Sequence, residues 1–451
     1  MKRIVLVAAF FLLLISTPAR AMEIQRVISP KGIEAWLVHD TTVPVIAMAF
    51  AFEGGSATDP ADRQGLAALA AHTMDEGAGP YDSQDFQKHL RDNSISLAFR
   101  AGRDAFFGSV KTLTETKGKA VELLRLALTA PRFEDEAVTR IRTSLVTAIR
   151  DQEQDPEWLA GRTLTKTLFA GHPYSQQDRG TEKTLNTISR KDLHDFVAAR
   201  LTRDHLKIAV SGDITAQELA PLLDQVFGNL STAGKPVAVP DVKPATDGKV
   251  TLVEQPTTQT VIVAAQEGVK RSDPDWFPAA ILEYILGGGG FSSRLTEQVR
   301  EKNGLTYGIS TDLAPMDHAA LITVQTATAN KTAAQVLQMI RTEWKRMADT
   351  ALTAQELEKA KKYLTGAFPL QFDSVDDFAA VLLQIQRDNL GIDYLSRRDS
   401  LINAVTLQDA QRVAKRLFDP ATLTVVAAGR PEGLKPDRIL TPDQVRGTEA
   451  Q

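Results

Sequence analysis

The sequence predicts an α+β protein built from two homologous domains, each a mostly antiparallel sheet covered by helices. Three observations support this class. Strand-like apolar segments alternate with amphipathic helical segments in both halves of the chain. The same segments return in the same order about 210 to 217 residues later, far beyond the period of roughly 20 to 50 residues that solenoid repeats show. A proline-rich stretch, residues 231–249, separates the two copies.

The chain begins with a pattern typical of a secretory signal peptide. Lys2 and Arg3 precede an apolar run over residues 4–15, and the small-residue site Ala19-Arg20-Ala21 follows. The apolar run is too short for a membrane span. We therefore expect cleavage after Ala21 and a mature protein located in a bacterial periplasm.

Composition excludes several classes of protein. The sequence contains no cysteine, so disulfides, thiolate zinc sites and cysteine nucleophiles are ruled out. A formal net charge of −4 without a basic block argues against a nucleic-acid partner. No segment after the signal peptide has the roughly 20 consecutive apolar residues of a membrane-spanning helix. A periplasmic protein without a membrane span is expected.

The internal repeat rests on two pairs of strand-like segments. Residues 44–52 (PVIAMAFAF) correspond to 260–268 (TVIVAAQEG), and 206–213 (LKIAVSGD) correspond to 423–430 (LTVVAAGR). A short helical run, FVAARL or RVAKRL, precedes the second member of each copy. The sequence thus predicts a signal peptide, two domains, a linker and a loosely packed C-terminal tail, with bounds 1–21, 22–230, 231–249, 250–430 and 431–451.

A helical segment in the first half resembles a zinc-binding motif that has lost most of its ligands. The sequence GGSATDPADRQGLAALAAHTMDEG is similar to the N-terminal domain of the insulinase/pitrilysin-type (inverzincin) zinc peptidases, which carry H-x-x-E-H. In that motif two histidines bind zinc and the glutamate activates water. The resemblance places Ala68 and Ala71 at the first histidine and the glutamate, and leaves His72 as a partly buried remnant of the second histidine. A degraded motif is therefore predicted.

The third zinc ligand of that family is a glutamate on a later helix. The frame AIRDQEQDPEW places Ala148 there, although a shift of five residues would substitute Glu153. Asp75 and Glu76, three and four residues after His72, could share its helix face. The other six histidines show no paired spacing. Since a catalytic zinc site needs three protein ligands, no metal is predicted in this chain, and zinc is expected in a partner.

The second half keeps a different set of residues that the resemblance marks as functional. The segment LGGGGFSSRLTEQVREKNGLTYGIS matches a family frame in which an arginine and a tyrosine reach the active-site chamber, here Arg300 and Tyr307. Both side chains donate hydrogen bonds and could stabilise an oxyanion. The run Gly287, Gly288, Gly289 and Gly290 is predicted to be a substrate-binding wall where bare backbone approaches a peptide. A simple helix boundary is the alternative, and no Gly-Lys-Ser/Thr follows that would indicate phosphate binding.

The resemblance covers nearly the whole mature chain and implies half of a clamshell that closes on peptides. It favours a non-catalytic subunit of a periplasmic zinc metallopeptidase heterodimer, which binds peptide substrates and supplies Arg300 and Tyr307 to the zinc site of a homologous partner. Two alternatives stay open. One is a catalytically silent structural or peptide-binding homologue, and the other is an autonomous zinc peptidase that uses His72 with unrecognised ligands.

Overall fold

The structure is a computed structural model that describes residues 23–235, 237–350 and 352–447. The predicted signal peptide, residues 1–21, lies outside the described residues. Within the described ranges, none of the helices combines the length and the apolar character needed to cross a membrane.

Two six-stranded sheets, alike in five strands and different in one edge strand, organise the described part of the chain. In the first sheet the order is β1-β2-β6-β3-β5-β4, and only β2 and β6 pair in parallel. Its strands are β1 (Ile24–Ile28), β2 (Glu34–His39), β3 (Val45–Glu53), β4 (Ser96–Ala101), β5 (Ala105–Leu113) and β6 (Leu206–Gly212).

The second sheet has the order β12-β7-β11-β8-β10-β9, and β7 pairs in parallel with both β11 and β12. Its strands are β7 (Val250–Glu254), β8 (Gln259–Glu267), β9 (Thr306–Pro315), β10 (Ala320–Ala329), β11 (Thr424–Gly429) and β12 (Arg438–Leu440). The two predicted strand pairs fall on β3 and β8 and on β6 and β11. The predicted α+β class with two similar, mostly antiparallel domains is confirmed.

Helices cover both sheets. The helices of the first half are α1 (Leu66–Ala71), α2 (Ser83–Asp92), α3 (Lys117–Thr129), α4 (Asp135–Gln152), α5 (Pro156–Leu168), α6 (Glu182–Thr187), α7 (Arg190–Arg200) and α8 (Ala216–Phe227). Those of the second half are α9 (Trp276–Glu283), α10 (Ala333–Asp349), α11 (Ala354–Gly366), α12 (Val375–Arg387), α13 (Tyr394–Asn403), α14 (Leu407–Leu417) and α15 (Pro442–Arg446).

The two halves exchange one helix each, which the repeat does not predict. Helix α5 of the first half packs on β8 and β11 of the second sheet, where Leu159 and Leu164 meet Val263 and Val426. Helix α12 of the second half packs on β3 and β6 of the first sheet through Leu382. The core of each half therefore contains side chains from the other, and burial of this apolar surface holds the halves together.

The C-terminal segment differs from the expected loosely packed tail. Strand β12 adds to the edge of the second sheet, and helix α15 packs on α5 with Val445 buried. The guanidinium of Arg446 donates two hydrogen bonds, of 3.0 and 2.9 Å, to the carbonyl oxygen of Glu153. The expectation was wrong because one apolar residue and a short strand suffice to dock an otherwise polar segment.

Candidate functional site

Helix α1, which carries the degraded motif, is held in place by its own N-terminus. Gly65 precedes it with φ of +88°, and a Cβ there would lie 2.5 Å from the carbonyl oxygen of Arg179, so only glycine fits. The carboxylate of Asp59 accepts hydrogen bonds from the backbone N–H groups of Gly65 and Ala67 at 3.0 and 3.1 Å. Burial raises the pKa of Asp59 to about 7. These contacts maintain the helix without any metal.

The two alanines of the motif serve packing. Ala68 and Ala71 are 3% and 1% exposed and lie among the buried residues of α1. His72, expected to be partly buried, is instead exposed and ends the helix. Its Nδ1 lies 2.8 Å from the carbonyl oxygen of Ala68, and because a carbonyl only accepts, Nδ1–H is the donor. The surviving histidine thus satisfies a carbonyl of the last helical turn.

The glutamates considered as replacement ligands, Glu76 and Glu153, do not join His72. Glu76 accepts hydrogen bonds from Ser83 at 2.5 Å and from Arg140 at 2.6 Å. Glu153 follows the end of α4, where burial raises its pKa. Ala148 lies exposed on the same helix. Neither glutamate makes a hydrogen bond or ion pair with His72.

The donor set does not fit a zinc ion. Among the described residues there is no group of three or more His, Cys, Asp or Glu side chains able to hold a metal. Catalytic zinc requires three protein ligands together with an open position for water. A single exposed imidazole that binds a backbone carbonyl supplies one donor at most. No step of metal-dependent hydrolysis can be derived from these side chains.

The glycine run follows helix α9, where a π-helical turn spans Tyr284–Gly288. A Cβ on Gly287 would lie 2.5 Å from the Thr311 hydroxyl, and one on Gly288 would lie 2.4 Å from the Glu283 carboxylate. Gly290 has φ of +54° and open space around it. Gly287 is buried under β9, whereas Gly288 and Gly290 are exposed. Glycine is therefore required by close packing at the start of the run and by backbone conformation at its end.

A buried carboxyl group lies beside this run, and the sequence did not single it out. The hydroxyl of Thr311 donates a hydrogen bond of 2.7 Å to Oε1 of Glu283. Burial, with a smaller contribution from Asp312, raises the pKa of Glu283 to about 7. The signal in the sequence would have been an acidic residue in the apolar run AAILEYIL. Glu283 is poised to titrate next to the glycine run.

The structure presents Arg300 and Tyr307 on the surface of the second half. Arg300 lies on a second π-helical turn, Thr296–Glu301, with Cζ 4.5 Å from the ring centroid of Phe291 and Nε 3.5 Å from a carboxylate oxygen of Glu301. Tyr307 is the second residue of the edge strand β9 and is 88% exposed. In the described part of the chain, its hydroxyl has no hydrogen-bond partner. The Tyr307 hydroxyl is therefore free to meet a molecule outside this chain, and the Arg300 side chain is partly exposed despite its two internal contacts.

A tight turn connects these two residues. The N–H of Gly304 donates to the carbonyl of Arg300 at 2.8 Å, and the N–H of Leu305 donates to that of Val299 at 3.0 Å. Gly304 adopts φ of +62°, as expected at the end of a helix. The turn leads from the helical segment directly into β9. Guanidinium and phenol groups at such a site can donate hydrogen bonds to a carbonyl or an oxyanion, but neither activates water.

Together, the fold and the site define a class of protein: a chain with two similar α+β domains whose described residues contain no group of three or more side chains able to hold a metal. A family model described as "Insulinase (Peptidase family M16)" matches residues 35–182, and one described as "Peptidase M16 inactive domain" matches residues 187–364. These matches span most of the chain in the expected order. The chain belongs to the M16, or insulinase, family, which confirms the resemblance.

Similar proteins include members with and without a peptidase name. The chain is 27% identical over 338 residues to the "Non-peptidase homolog YmxG" of Helicobacter pylori, covering 74% of this chain and 77% of that protein. It is 23% identical to the "Mitochondrial-processing peptidase subunit beta" of Lentinula edodes, covering 85% of each. A crystal structure of a "peptidase M16 inactive domain" from Pseudomonas fluorescens superposes with a TM-score of 0.86 at 24% identity, covering 92% of this chain and all of that one. The last comparison supports the fold alone.

Proposed function

We propose that this chain is the non-catalytic subunit of a periplasmic zinc peptidase complex. In this complex a homologous partner binds zinc and hydrolyses the peptide, while this chain contributes to peptide binding and supplies Arg300 and Tyr307. The proposal agrees with its membership of the M16 family and with relatives that include a protein named as a non-peptidase.

One contrast between the two halves carries the proposal. Two motif positions of the first half, Ala68 and Ala71, are buried alanines within a helix, whereas the second half exposes the phenol of Tyr307 and leaves the guanidinium of Arg300 partly exposed. An exposed tyrosine without a hydrogen-bond partner contributes little to the stability of its own chain. In contact with a peptide bound to another subunit, its hydroxyl and the Arg300 guanidinium could stabilise the oxyanion formed when water attacks.

The glycine run fits the proposal as part of a peptide-binding wall. Gly288 and Gly290 are exposed close to Phe291, the aromatic residue on which Arg300 rests. A backbone without side chains allows close approach of an extended peptide. Gly287 would act differently, by letting the wall pack against β9.

The alternative of a silent structural or peptide-binding homologue is favoured by a specific observation. Arg300 already has two partners within its own chain, the ring of Phe291 and the carboxylate of Glu301, so a local structural role would account for it. An autonomous zinc peptidase is disfavoured because the described residues do not provide three ligands with His72.

The test uses the complex isolated from the periplasm through a tag on this chain, with and without Tyr307→Phe. We expect turnover of a peptide substrate to fall about 100-fold, the usual loss for one oxyanion donor, while KM and the amount of co-purified partner stay the same. The matched control is Tyr363→Phe, which changes another exposed tyrosine that is stacked on Tyr284. If turnover by the Tyr307 variant equals that of the control, the catalytic contribution is refuted and the structural alternative stands.

A further inference from the structure

A cavity of about 730 Å³ lies between the two halves, away from the residues discussed so far. Its walls include the turn before β5, the turn between β9 and β10, the end of α12 and the connecting residues 237–239. Neither the degraded motif nor the glycine run nor Arg300 and Tyr307 line it. Cavities of 300 to 1,000 Å³ are typical of small-ligand sites, so this space is large enough for a ligand of its own.

The lining carries an excess of positive charge. Seven Lys and Arg residues face four Asp and Glu residues, although the whole chain has a net charge of −4. Some of these cations are neutralised, since Lys270 pairs with Asp241 at 2.9 Å and Arg103 with Asp178 at 3.0 Å. Other cations of the lining are not neutralised in this way. A cleft with uncompensated charge of one sign attracts ligands of the opposite sign.

Two arginines from different halves converge on one aromatic ring in this cavity. Phe107 lies on β5, directly opposite Arg100 of β4, whose guanidinium carbon is 4.3 Å from the ring centroid. The guanidinium carbon of Arg387, at the end of α12, lies 5.0 Å from the same centroid. Arg100 is exposed and has no carboxylate within ion-pair distance among the described residues, while Arg387 has only Asp317, at 3.6 Å. Arg387 also interacts electrostatically with Asp388, so its charge is partly compensated, whereas Arg100 contacts the same ring without an ion-pair partner among the described residues.

This arrangement suits the recognition of an anion. A guanidinium that stacks on an aromatic ring uses its face for that contact and keeps its N–H edges for hydrogen bonds to carboxylate or phosphate oxygens. An anion that accepts hydrogen bonds from the N–H edges of both groups would relieve the mutual repulsion of the two cations. Because Arg100 belongs to the first sheet and Arg387 to the exchanged helix α12, such a ligand would contact both halves.

We propose that this interdomain cavity binds a small polyanion bearing carboxylates or phosphates, held by Arg100 and Arg387, the two arginines that contact the Phe107 ring. The site does not depend on the proposed partner subunit. It is a second binding function of this chain, and its failure would leave the role of Tyr307 unaffected.

The experiment is calorimetric titration of the full mature chain at low ionic strength with citrate, pyrophosphate and uncharged sucrose. We expect saturable binding of at least one anion and none of sucrose. Arg100→Gln and Arg387→Gln should each weaken binding about tenfold or more, as expected for the loss of a charge-assisted contact. The tighter of citrate and pyrophosphate identifies carboxylate or phosphate as the preferred group.

The control is Arg91→Gln on α2, an exposed arginine that does not line the cavity, which should bind within twofold of the unaltered protein. Phe107→Leu tests the ring, because it keeps an apolar side chain but removes the stacking surface, and it should also weaken binding. If Arg387→Gln disturbs folding, the affinity of the Arg100→Gln variant, which changes an exposed side chain, tests the proposal by itself. Absence of saturable anion binding up to about 10 mM, or equal affinity in the Arg100 and Arg91 variants, would overturn the proposal.

Discussion

The exchanged helix α12 makes a quantitative prediction about stability. Leu382 is 0% exposed and packs on Val38, Ala51 and Ala209 of the first sheet, although it belongs by sequence to the second half. Leu382→Ala removes three carbon atoms, which at about 0.8 kcal/mol per buried CH₂ gives a transfer loss of roughly 2.4 kcal/mol. The cavity left behind adds to this value, so we expect a loss of about 3 to 4 kcal/mol in the free energy of unfolding, within the range known for such changes.

Urea unfolding followed by far-UV circular dichroism measures this change, and the matched control is Leu370→Ala. Leu370 is 71% exposed, so its truncation should change stability by no more than about 0.5 kcal/mol. Hydrogen exchange resolved by mass spectrometry should also show that β3 and β11 lose protection together, because each half contributes to the core of the other. A loss below about 1 kcal/mol, or separate opening of the two sheets, would refute the inference that helix exchange joins them.

Two further predictions concern the degraded site and the glycine run. Ala68→His combined with Ala71→Glu should lower the free energy of unfolding by roughly 1 to 3 kcal/mol through overpacking. Zinc measured by elemental analysis should stay well below one ion per chain, because a third ligand is lacking. A zinc content near one per chain would contradict the structure. In the folded chain the Glu283 carboxyl keeps a proton that the unfolded chain releases, so the free energy of unfolding declines as the pH rises from about 4.5 to 7. Glu283→Gln removes this group and should make that decline less steep. Urea midpoints at several pH values measure this, and an unchanged pH profile would refute it.

The sequence predicts the sheets well because their central strands are fixed by local pattern. Residues of β3 and β8 form apolar, β-branched runs that suit a buried strand, and their recurrence identifies the duplication. The sequence does not predict which sheet a helix packs on. The apolar residues Leu159 and Leu164 show that α5 has a buried face, but nothing local indicates that this face covers the sheet of the other half. Long-range packing of this kind becomes visible only in three dimensions.

The sequence predicts which chemical groups the candidate site contains, but it predicts less well which residues those groups pack against. The absence of ligands at Ala68 and Ala71 follows from residue identity, since a methyl group has no lone pair to donate to a metal. That His72 would turn to the carbonyl of Ala68 depends on where the helix ends. Likewise, the steric need for glycine at position 287 comes from Thr311 on a strand 24 residues further along the chain. Spacing in the sequence carries no information about such contacts.

The candidate residues of the two halves differ in burial, and this difference indicates which surface a partner would cover. In the first half Ala68 and Ala71 are buried, so these two positions belong to the core and offer no surface to a partner. In the second half Phe291, which contacts Arg300, and Tyr307 are 68% and 88% exposed. Burial of a large aromatic side chain contributes roughly 1.5 to 3 kcal/mol, a gain that this chain alone does not realise. A partner that covered both rings would realise it, so we expect the surface around Arg300, rather than helix α1, to form the contact with another subunit.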